Sequence, residues 1–328
     1  IRWGLKFIKS CTNDHVQSSM KSILDINLLS KKLYLEMQKS ELFDFHLETK
    51  GLLMAYKTSH AEKEESEISK WAKDLGIKVE QFSKEQVLKI QPDIAMDIVG
   101  AFWYKSDAHT TPELFINNLK DYLVKKGVGF KLENAVKYFQ KNNKQIQKVV
   151  TDKGIFEADE FVLSTGAWSQ QILNDLGIKL LIQPGKGYRI NVYKSTGITL
   201  PAILLESKVA VTPMDGFTRF GGTMEISGIN DRTNIKRVHA IADSVTKYYP
   251  TLEIPKTSIN DVQSGLRPLS PDGLPFIGRH SKIKNMVLAT GHSMMGWSLG
   301  PATGRLVTEV ISGRKTSMDL KPFLPERI

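Results

Sequence analysis

A short apolar strand followed by a glycine-containing turn and a helix is the feature that most constrains how this chain folds. The strand is expected at Met286–Ala289, and the helix after it carries Gly296, Gly300 and Gly304. Glycines spaced four residues apart share one face of a helix, so a second backbone or a flat ligand can approach that face closely. The other interpretation is a packing contact between helix and sheet, which a short glycine motif equally permits.

The start of this helix is also suited to binding a negatively charged group. Its first N–H groups lack partners within the helix, and together with the positive end of the helix dipole they suit an anionic oxygen or a ring that becomes negative. Pro301 is expected close enough to the start to be tolerated, because first-turn N–H groups need no partner inside the helix.

The upstream segment Gly265–Gly278 reads G-L-R-P-L-S-P-D-G-L-P-F-I-G. Together with Thr290–His292 and Gly296–Trp297, it resembles the C-terminal signature of the FAD-dependent amino-acid oxidoreductases, the superfamily of D-amino-acid oxidase, glycine oxidase and sarcosine oxidase. Ile1–Thr12 and Gly185–Tyr188 are similar to segments of the bacterial D-amino-acid dehydrogenase small subunits within that superfamily. The resemblance follows the chain in order over almost its whole length. It implies a mixed α/β, FAD-linked-reductase-like fold.

At 328 residues the chain exceeds the usual size of one domain, so two intertwined domains are expected. The resemblance implies a partial Rossmann-type FAD domain at 105–167 and 283–328, and a substrate or cap domain with an antiparallel sheet at 1–104 and 168–282. The chain begins with Ile1, and no G-x-G-x-x-G follows an opening strand. Proteins of this superfamily open with such a βαβ unit, which holds the FAD pyrophosphate. We therefore expect a truncated chain, whose retention of FAD has to be tested.

The net charge of +10 raises nucleic acid or an anionic membrane as a partner. The lysines, however, alternate with glutamates, as in Ala61–Glu67, which is typical of a solvated surface. We expect no nucleic-acid binding, and no apolar run reaches the ~18 residues that a membrane span needs. The single cysteine, Cys11, cannot form an internal disulfide, fits a reducing compartment and is expected to be buried. A cytoplasmic protein is predicted, with a peripheral position on the inner face of the cytoplasmic membrane left open.

Local patterns predict several further elements. The chain is expected to be helical up to about Ser40, and Leu52–Tyr56 is a predicted strand. Thr111–Glu113 is a strong helix start, because it combines a capping residue, a proline and an acid. Strands are expected at Val128–Leu132 and Ala135–Phe139. The resemblance implies that backbone groups near Val136, in the second of these strands, face the adenine of FAD.

A second strand followed by a turn and a helix is expected where the strand Phe161–Leu163 leads into Ser164–Trp168. A buried strand that ends in small residues before a helix lets a dinucleotide lie against the backbone. The resemblance implies that FAD contacts Val136 and the residues at the two strand ends, which are Thr165, Gly166, Trp168, Gly291, Met294, Met295, Gly296 and Trp297.

Oxidation of an amino acid by a flavin requires a hold on the carboxylate, a neutral amine, and a Cα–H aimed at flavin N5. Arg267 is the strongest candidate for the carboxylate, because its planar fork gives two parallel charge-assisted bonds that a lysine does not match. Tyr188 is a candidate for a second bond to the carboxylate, and His292 for an acid–base near the isoalloxazine, each against the simpler interpretation of a packed core residue. His46 and His109 are expected to have no metal-ligand company, so no metal site is predicted.

The sequence thus favours an FAD-dependent enzyme that oxidises a D-amino acid, with a proline-like imino acid as one option. Hydride passes from Cα to flavin N5, and an open-chain imine product hydrolyses to the 2-oxo acid and ammonia. The dehydrogenase likeness implies a membrane quinone as acceptor. Three alternatives stay open: a glycine- or sarcosine-type oxidase that uses oxygen, a flavin domain that modifies tRNA, and a folded fragment without cofactor or activity. The oligomeric state is left undetermined.

Overall fold

The structure is a computed structural model that describes residues 2–328. The helices are α1 (Arg2–Ser10), α2 (Asn13–Ser40), α3 (Ser59–Asp74), α4 (Lys84–Ile90), α5 (Pro112–Lys125), α6 (Ser169–Asn174), α7 (Ile235–Tyr248), α8 (Lys256–Asn260) and α9 (Gly296–Ile311). The strands are β1 (Leu47–Glu48), β2 (Leu52–Tyr56), β3 (Val79–Ser83), β4 (Gly100–Tyr104), β5 (His109–Thr110), β6 (Val136–Asn142), β7 (Gln145–Thr151), β8 (Ile155–Phe156), β9 (Phe161–Leu163), β10 (Gln183–Val192), β11 (Ala202–Leu204), β12 (Val209–Met214), β13 (Phe217–Glu225), β14 (Gln263–Leu269), β15 (Phe276–His280) and β16 (Ile283–Thr290).

An eight-stranded sheet, in the order β14-β10-β13-β12-β11-β2-β4-β3, forms the larger body of the molecule. Its pairs are antiparallel except for β11 and β2. The amphipathic helix α7 covers one face, where Val238, Ile241 and Val245 pack into the same core as Tyr188 and Phe220. Because side chains alternate between the faces of a strand, the residues next to Tyr188 and Phe220 in sequence project from the other face. The candidate site lies on that other face.

Strands β15, β16 and β9 form a smaller sheet. The sequence predicts that FAD binds at the edge where β9 and β16 end, which is called the dinucleotide edge below. Strands β16 and β9 run parallel, which places their carboxyl ends side by side. Helix α9 follows β16, and α2 packs along α9. Ile26 of α2 shares a buried cluster with Val287 of β16 and Leu299 of α9. The long N-terminal helix therefore belongs to the core of the smaller sheet.

This packing changes the domain division expected from the sequence. The sequence predicts that residues 1–104 and 168–282 form the substrate domain, yet α2 packs on α9, and β15 pairs with β16. Leu173 and Ile178 also lie in the core of the smaller sheet. We propose a division in which α2, α6 and β15 join the FAD-binding part, while the eight-stranded sheet with α3 and α7 forms the substrate part.

Several local predictions are confirmed and others are wrong. Strand β2 has the predicted bounds Leu52–Tyr56. Residues 128–132, expected to be a strand, form an irregular connection between α5 and β6. Thr111 makes no side-chain cap at the start of α5, and its hydroxyl accepts a hydrogen bond from the Asp215 N–H at 2.8 Å. Cys11 is exposed, contrary to the expected burial. Among residues 2–328, no helix combines the length and apolar composition needed to cross a membrane.

Pro301 lies in the second turn of α9 and not in the first turn, as the sequence suggested. A proline there removes the N–H that would bond to the carbonyl of the residue four positions earlier, which is Trp297. The Tyr34 hydroxyl of α2 donates to that same carbonyl at 2.9 Å. The contact between α2 and α9 therefore supplies the hydrogen bond that the proline removes.

We expect Tyr34→Phe to lower the free energy of unfolding by about 1–2 kcal/mol, because the Trp297 carbonyl loses the donor that replaces the missing N–H of Pro301. In a Pro301→Ala background the backbone N–H is restored, so the same substitution should cost clearly less. Chemical unfolding of the four proteins gives the coupling energy directly. Tyr138→Phe, which removes a hydroxyl from an exposed side chain, is the matched control. Identical costs in both backgrounds would contradict this account.

Candidate active site

The carboxyl ends of β9 and β16 meet through a cluster of hydroxyl groups. The Thr165 hydroxyl donates to Ser169 Oγ at 3.2 Å, and Ser169 Oγ lies 2.7 Å from Thr290 Oγ1. Thr290 Oγ1 donates in turn to the Gly166 carbonyl at 3.3 Å. The predicted cofactor residues Thr165 and Gly166 are therefore held beside the segment that begins with Gly291. This edge is the position at which open α/β sheets bind nucleotides.

The turn between β16 and α9 requires glycine and leaves the helix start open. Gly291 has φ +74°, and a Cβ there would lie 2.5 Å from the Phe276 ring. Helix α9 begins at Gly296, and the residue before it, Met295, makes no side-chain cap. Gly296, Gly300 and Gly304 lie on an exposed face of the helix. N–H groups without helical partners, beside an exposed glycine face, fit a flat cofactor whose ring becomes negative, such as the flavin of FAD.

The remaining predicted cofactor residues lie in different surroundings. Met294 is 67% exposed at the turn, and Trp168 is 47% exposed after β9. The indole N–H of Trp297 donates to Thr110 Oγ1 at 2.8 Å, so this side chain anchors the start of α9. Val136 is the first residue of β6, in the separate sheet of β6, β7 and β8.

Arg267 is a partly buried cation with no ion-pair partner within residues 2–328. Its Nη1 atom is buried and has no hydrogen-bond partner within residues 2–328. Burial lowers the pKa of the guanidinium from its ordinary value, and no carboxylate acts on it in the opposite sense. The group lies over Gly187, where an added Cβ would come within 1.6 Å of Nη1. A buried charge is costly unless it is paired, so this position suits an anionic ligand.

Two backbone contacts bring Arg267 to the dinucleotide edge. Leu269 and His292 form an isolated antiparallel bridge, and the Ser293 N–H donates to the Pro268 carbonyl at 3.0 Å. The short helical turn Gly166–Trp168 also contacts β14. The arginine of the larger sheet therefore lies where the predicted flavin-facing segments of the smaller sheet meet it.

The structure corrects the role predicted for Tyr188. Gly187 and Tyr188 are neighbours in β10, so they project from opposite faces of the sheet, and Arg267 lies over Gly187. The Tyr188 ring is buried against α7, and its hydroxyl donates to Glu225 Oε1 at 3.0 Å and accepts from the Asn234 N–H at 2.9 Å. Tyr188 is therefore a core residue that cannot reach a carboxylate held by Arg267.

His292 is also not placed for acid–base catalysis. Its ring is buried, and Nε2 lies 2.9 Å from the Thr303 hydroxyl, which itself donates to the Leu299 carbonyl. Nε2 must therefore carry the hydrogen and donate to Thr303. Burial lowers the pKa of His292 to about 4, so the ring is neutral at physiological pH. The histidine holds the turn onto α9, and its backbone, not its ring, borders the site.

Sequence reasoning missed charged residues on the same sheet face as Arg267. Arg189 and Arg219 both bind Glu113, with 3.0 Å between Arg189 Nη1 and Glu113 Oε1. Two guanidinium groups share one carboxylate, which leaves a positive excess beside Gly187. The alternation of β10 carried this signal, because Gly187 and Arg189 are two residues apart and share a face.

The expectation that His46 and His109 have no other metal-ligating side chain nearby is wrong. Their ligand atoms and those of Glu48 all lie within 4.8 Å of one another. The two histidines are far apart in sequence, and the pairing of β1 with β5 brings them together. Spacing along the chain could not show this cluster.

Comparison with known proteins decides the family. A family model described as FAD dependent oxidoreductase matches residues 11–310. The chain belongs to that family. A D-amino acid dehydrogenase of Neisseria meningitidis is 30% identical over 325 residues, which cover 97% of this chain and 77% of that protein. The predicted family, FAD as cofactor and the assignment as an oxidoreductase are thereby confirmed.

Solved structures confirm the predicted fold class. Glycine oxidase from Geobacillus kaustophilus superposes with a TM-score of 0.81 at 22% identity, over 93% of this chain and 82% of that one. An L-proline dehydrogenase from P. horikoshii gives 0.81 at 23% identity, over 92% and 82%.

The depressed pKa of His292 makes stability depend on pH. The unfolded histidine titrates near 6.5, so between about pH 6.5 and 4 the unfolded chain binds more protons than the folded one. The contribution of His292 to the free energy of unfolding is therefore present above that window, and falls by roughly 1.4 kcal/mol for each pH unit of acidification within it. His292→Gln should remove this share of the slope.

Urea unfolding between pH 7.5 and 4.5 measures the slope for the parent chain and the variant. His60→Gln, on an exposed face of α3, is the matched control and should leave the slope unchanged. Parallel curves for the parent and His292→Gln would contradict the assignment of this histidine as buried and neutral.

Proposed function

We propose that this chain is the substrate-binding and catalytic part of an FAD-dependent D-amino acid dehydrogenase. The observation that carries the proposal is the partly buried guanidinium of Arg267 beside the predicted flavin edge, with its buried Nη1 atom unpaired within residues 2–328. The choice of a D-amino acid rests on the Neisseria meningitidis relative, which bears that name. FAD, when bound, supplies the acceptor for the hydride that leaves the substrate Cα.

Arg267 would hold the substrate by its carboxylate. A guanidinium pairs with a carboxylate through two parallel charge-assisted bonds, which fixes the distance and the rotation of the amino acid together. Gly187 leaves the space in which the guanidinium lies. The positive excess of Arg189 and Arg219 over Glu113 would draw an anionic substrate towards this face.

Apolar neighbours strengthen this pairing. A Cβ on Gly185 would come within 2.6 Å of a Leu269 methyl carbon and 2.9 Å of the Met224 sulfur, so both side chains cover the strand beside Arg267. An ion pair gains strength where apolar groups reduce its contact with water. The two side chains also present an apolar wall, which favours a substrate with an apolar or proline-like side chain. We propose a quinone as the electron acceptor, by the likeness to the dehydrogenase.

Anaerobic bleaching of the flavin tests the function. The FAD-loaded protein should lose its visible flavin band when D-alanine or D-proline is added, and a soluble quinone should restore it faster than oxygen does. Arg267→Ala should lower kcat/KM for bleaching by about 100- to 1,000-fold, and Arg267→Lys should restore only part of it, because an ammonium lacks the planar fork. Arg237→Lys is the matched control and should remain active. Arg237 lies on α7, and its ion pair is with Glu225.

Each other outcome would point to a different function of this protein. Bleaching with glycine or sarcosine and peroxide formation in air would favour the oxidase. Salt-sensitive binding of tRNA without bleaching would favour the tRNA-modifying enzyme. A chain that binds no FAD when FAD is supplied would be the inactive scaffold. Full activity of Arg267→Ala would overturn the assignment of the carboxylate site.

We expect Gly187→Ala to behave like a weaker Arg267→Ala. The added methyl group meets Nη1 at 1.6 Å and must displace the guanidinium, so KM should rise by about 10-fold or more while the flavin spectrum stays unchanged. Gly221→Ala is the matched control, because its Cβ meets only the Tyr188 carbonyl, at 4.0 Å. Steady-state kinetics of both variants with the same D-amino acid give the comparison. Equal KM values would show that Arg267 is not displaced or does not bind substrate.

A further inference from the structure

We propose that His46, Glu48 and His109 form a binding site for one divalent transition metal ion of the Zn²⁺ class. The Nε2 atom of His46 lies 3.7 Å from Glu48 Oε1, and the Nε2 atom of His109 lies 3.3 Å from Glu48 Oε2. Zinc binds imidazole nitrogen and carboxylate oxygen at about 2.0–2.2 Å, and two histidines with one glutamate form one of its common ligand sets. Small rotations of the side chains bring the three groups around a single ion.

The strand pairing aims the three side chains at one point. Glu48 of β1 lies directly opposite His109 of β5, and His46 precedes Glu48 by two residues, so all three belong to the same face. The intervening pair, Leu47 and Thr110, projects the other way, and the Thr110 hydroxyl accepts from the indole of Trp297. The site is thus separate from the start of α9, although it lies on the same short ribbon.

His109 is the observation that calls for a ligand. Its side chain is only 6% exposed, and both ring nitrogens are buried without a hydrogen-bond partner within residues 2–328. Leaving buried polar atoms unpaired costs free energy, which a metal bond to Nε2 would recover.

His46 is already oriented for coordination. Its Nδ1 atom lies 3.0 Å from the Thr111 hydroxyl oxygen, which also accepts from the Asp215 N–H. A hydroxyl oxygen has two lone pairs, so it can accept from both N–H groups. When Nε2 binds the ion, Nδ1 carries the hydrogen and donates to Thr111, and Nε2 directs its lone pair to the side of Glu48. Support of this kind, through the second ring nitrogen, is the usual arrangement around histidine ligands.

Lys50 is the charged group that competes for the site. Its ammonium lies 2.8 Å from Glu48 Oε2, and it pairs with the carboxylate when no metal is bound. The Lys50 side chain is 45% exposed, so it can move into solvent when the ion takes its place. Metal binding therefore exchanges one cation for another beside Glu48, and removal of the lysine should strengthen it.

Cobalt(II) is the probe of choice, because its visible spectrum reports the number and type of ligands. The full chain, without an affinity tag and freed of metal, is titrated with Co²⁺ and then with Zn²⁺. We expect one Co²⁺ per chain with a visible band typical of four or five ligands, and displacement by Zn²⁺. His109→Gln and Glu48→Gln should weaken binding by about 100-fold or more, since even changes in residues behind the ligands cost 10- to 100-fold.

Two further variants separate the site from chance binding. His60→Gln alters another histidine–glutamate pair, with 3.4 Å between His60 Nε2 and Glu64, which is exposed on α3 and should leave Co²⁺ affinity unchanged. Lys50→Met should raise the affinity several-fold, and it changes an exposed side chain that folding does not require. Absence of the band in both the parent and Lys50→Met, or equal binding by His109→Gln and the parent, would overturn the proposal.

Discussion

The attachment of the turn after β16 to the edge strand β14 is the contact on which the candidate site depends. β14 ends the eight-stranded sheet, so one row of its backbone groups has no neighbouring strand. The Leu269–His292 bridge and the hydrogen bond from Ser293 to Pro268 use part of that row. They connect the two sheets next to Arg267. Without this attachment the guanidinium and the open start of α9 would belong to separate surfaces.

A charge held without a partner has to be compensated by the rest of the fold. The guanidinium of Arg267 fits only because Gly187 has no side chain, since an added Cβ there would lie 1.6 Å from Nη1. The nearby arginines behave differently, since Arg189 and Arg219 share Glu113. One cation is thus left free for a ligand while its neighbours are fixed by a carboxylate. This difference, more than the number of arginines, distinguishes a binding site from a structural ion-pair network.

Helix α9 shows how a local defect becomes a tertiary contact. Pro301 leaves the Trp297 carbonyl without its helical donor, and the Tyr34 hydroxyl supplies one from α2. The Trp297 indole, at the same turn, bonds to Thr110 on the ribbon of β1 and β5. The start of α9 is therefore fixed from two directions, and its exposed glycine face stays free. The ribbon that anchors it also carries His46, Glu48 and His109.

The sequence by itself determined the family, the cofactor class and the elements with strong local signals, and it made Arg267 the candidate for the carboxylate site. Strand β2, the helix of Pro112–Lys125 and the glycine turn at Gly291 follow from local backbone preferences, which depend little on distant residues. Only the tertiary structure decided which face each strand buries, and so it removed Tyr188 from the site and added Gly187. It also turned His292 towards Thr303 and joined His109 to Glu48. These outcomes depend on strand pairing and packing between residues far apart in the chain, which composition, spacing and local preference do not specify.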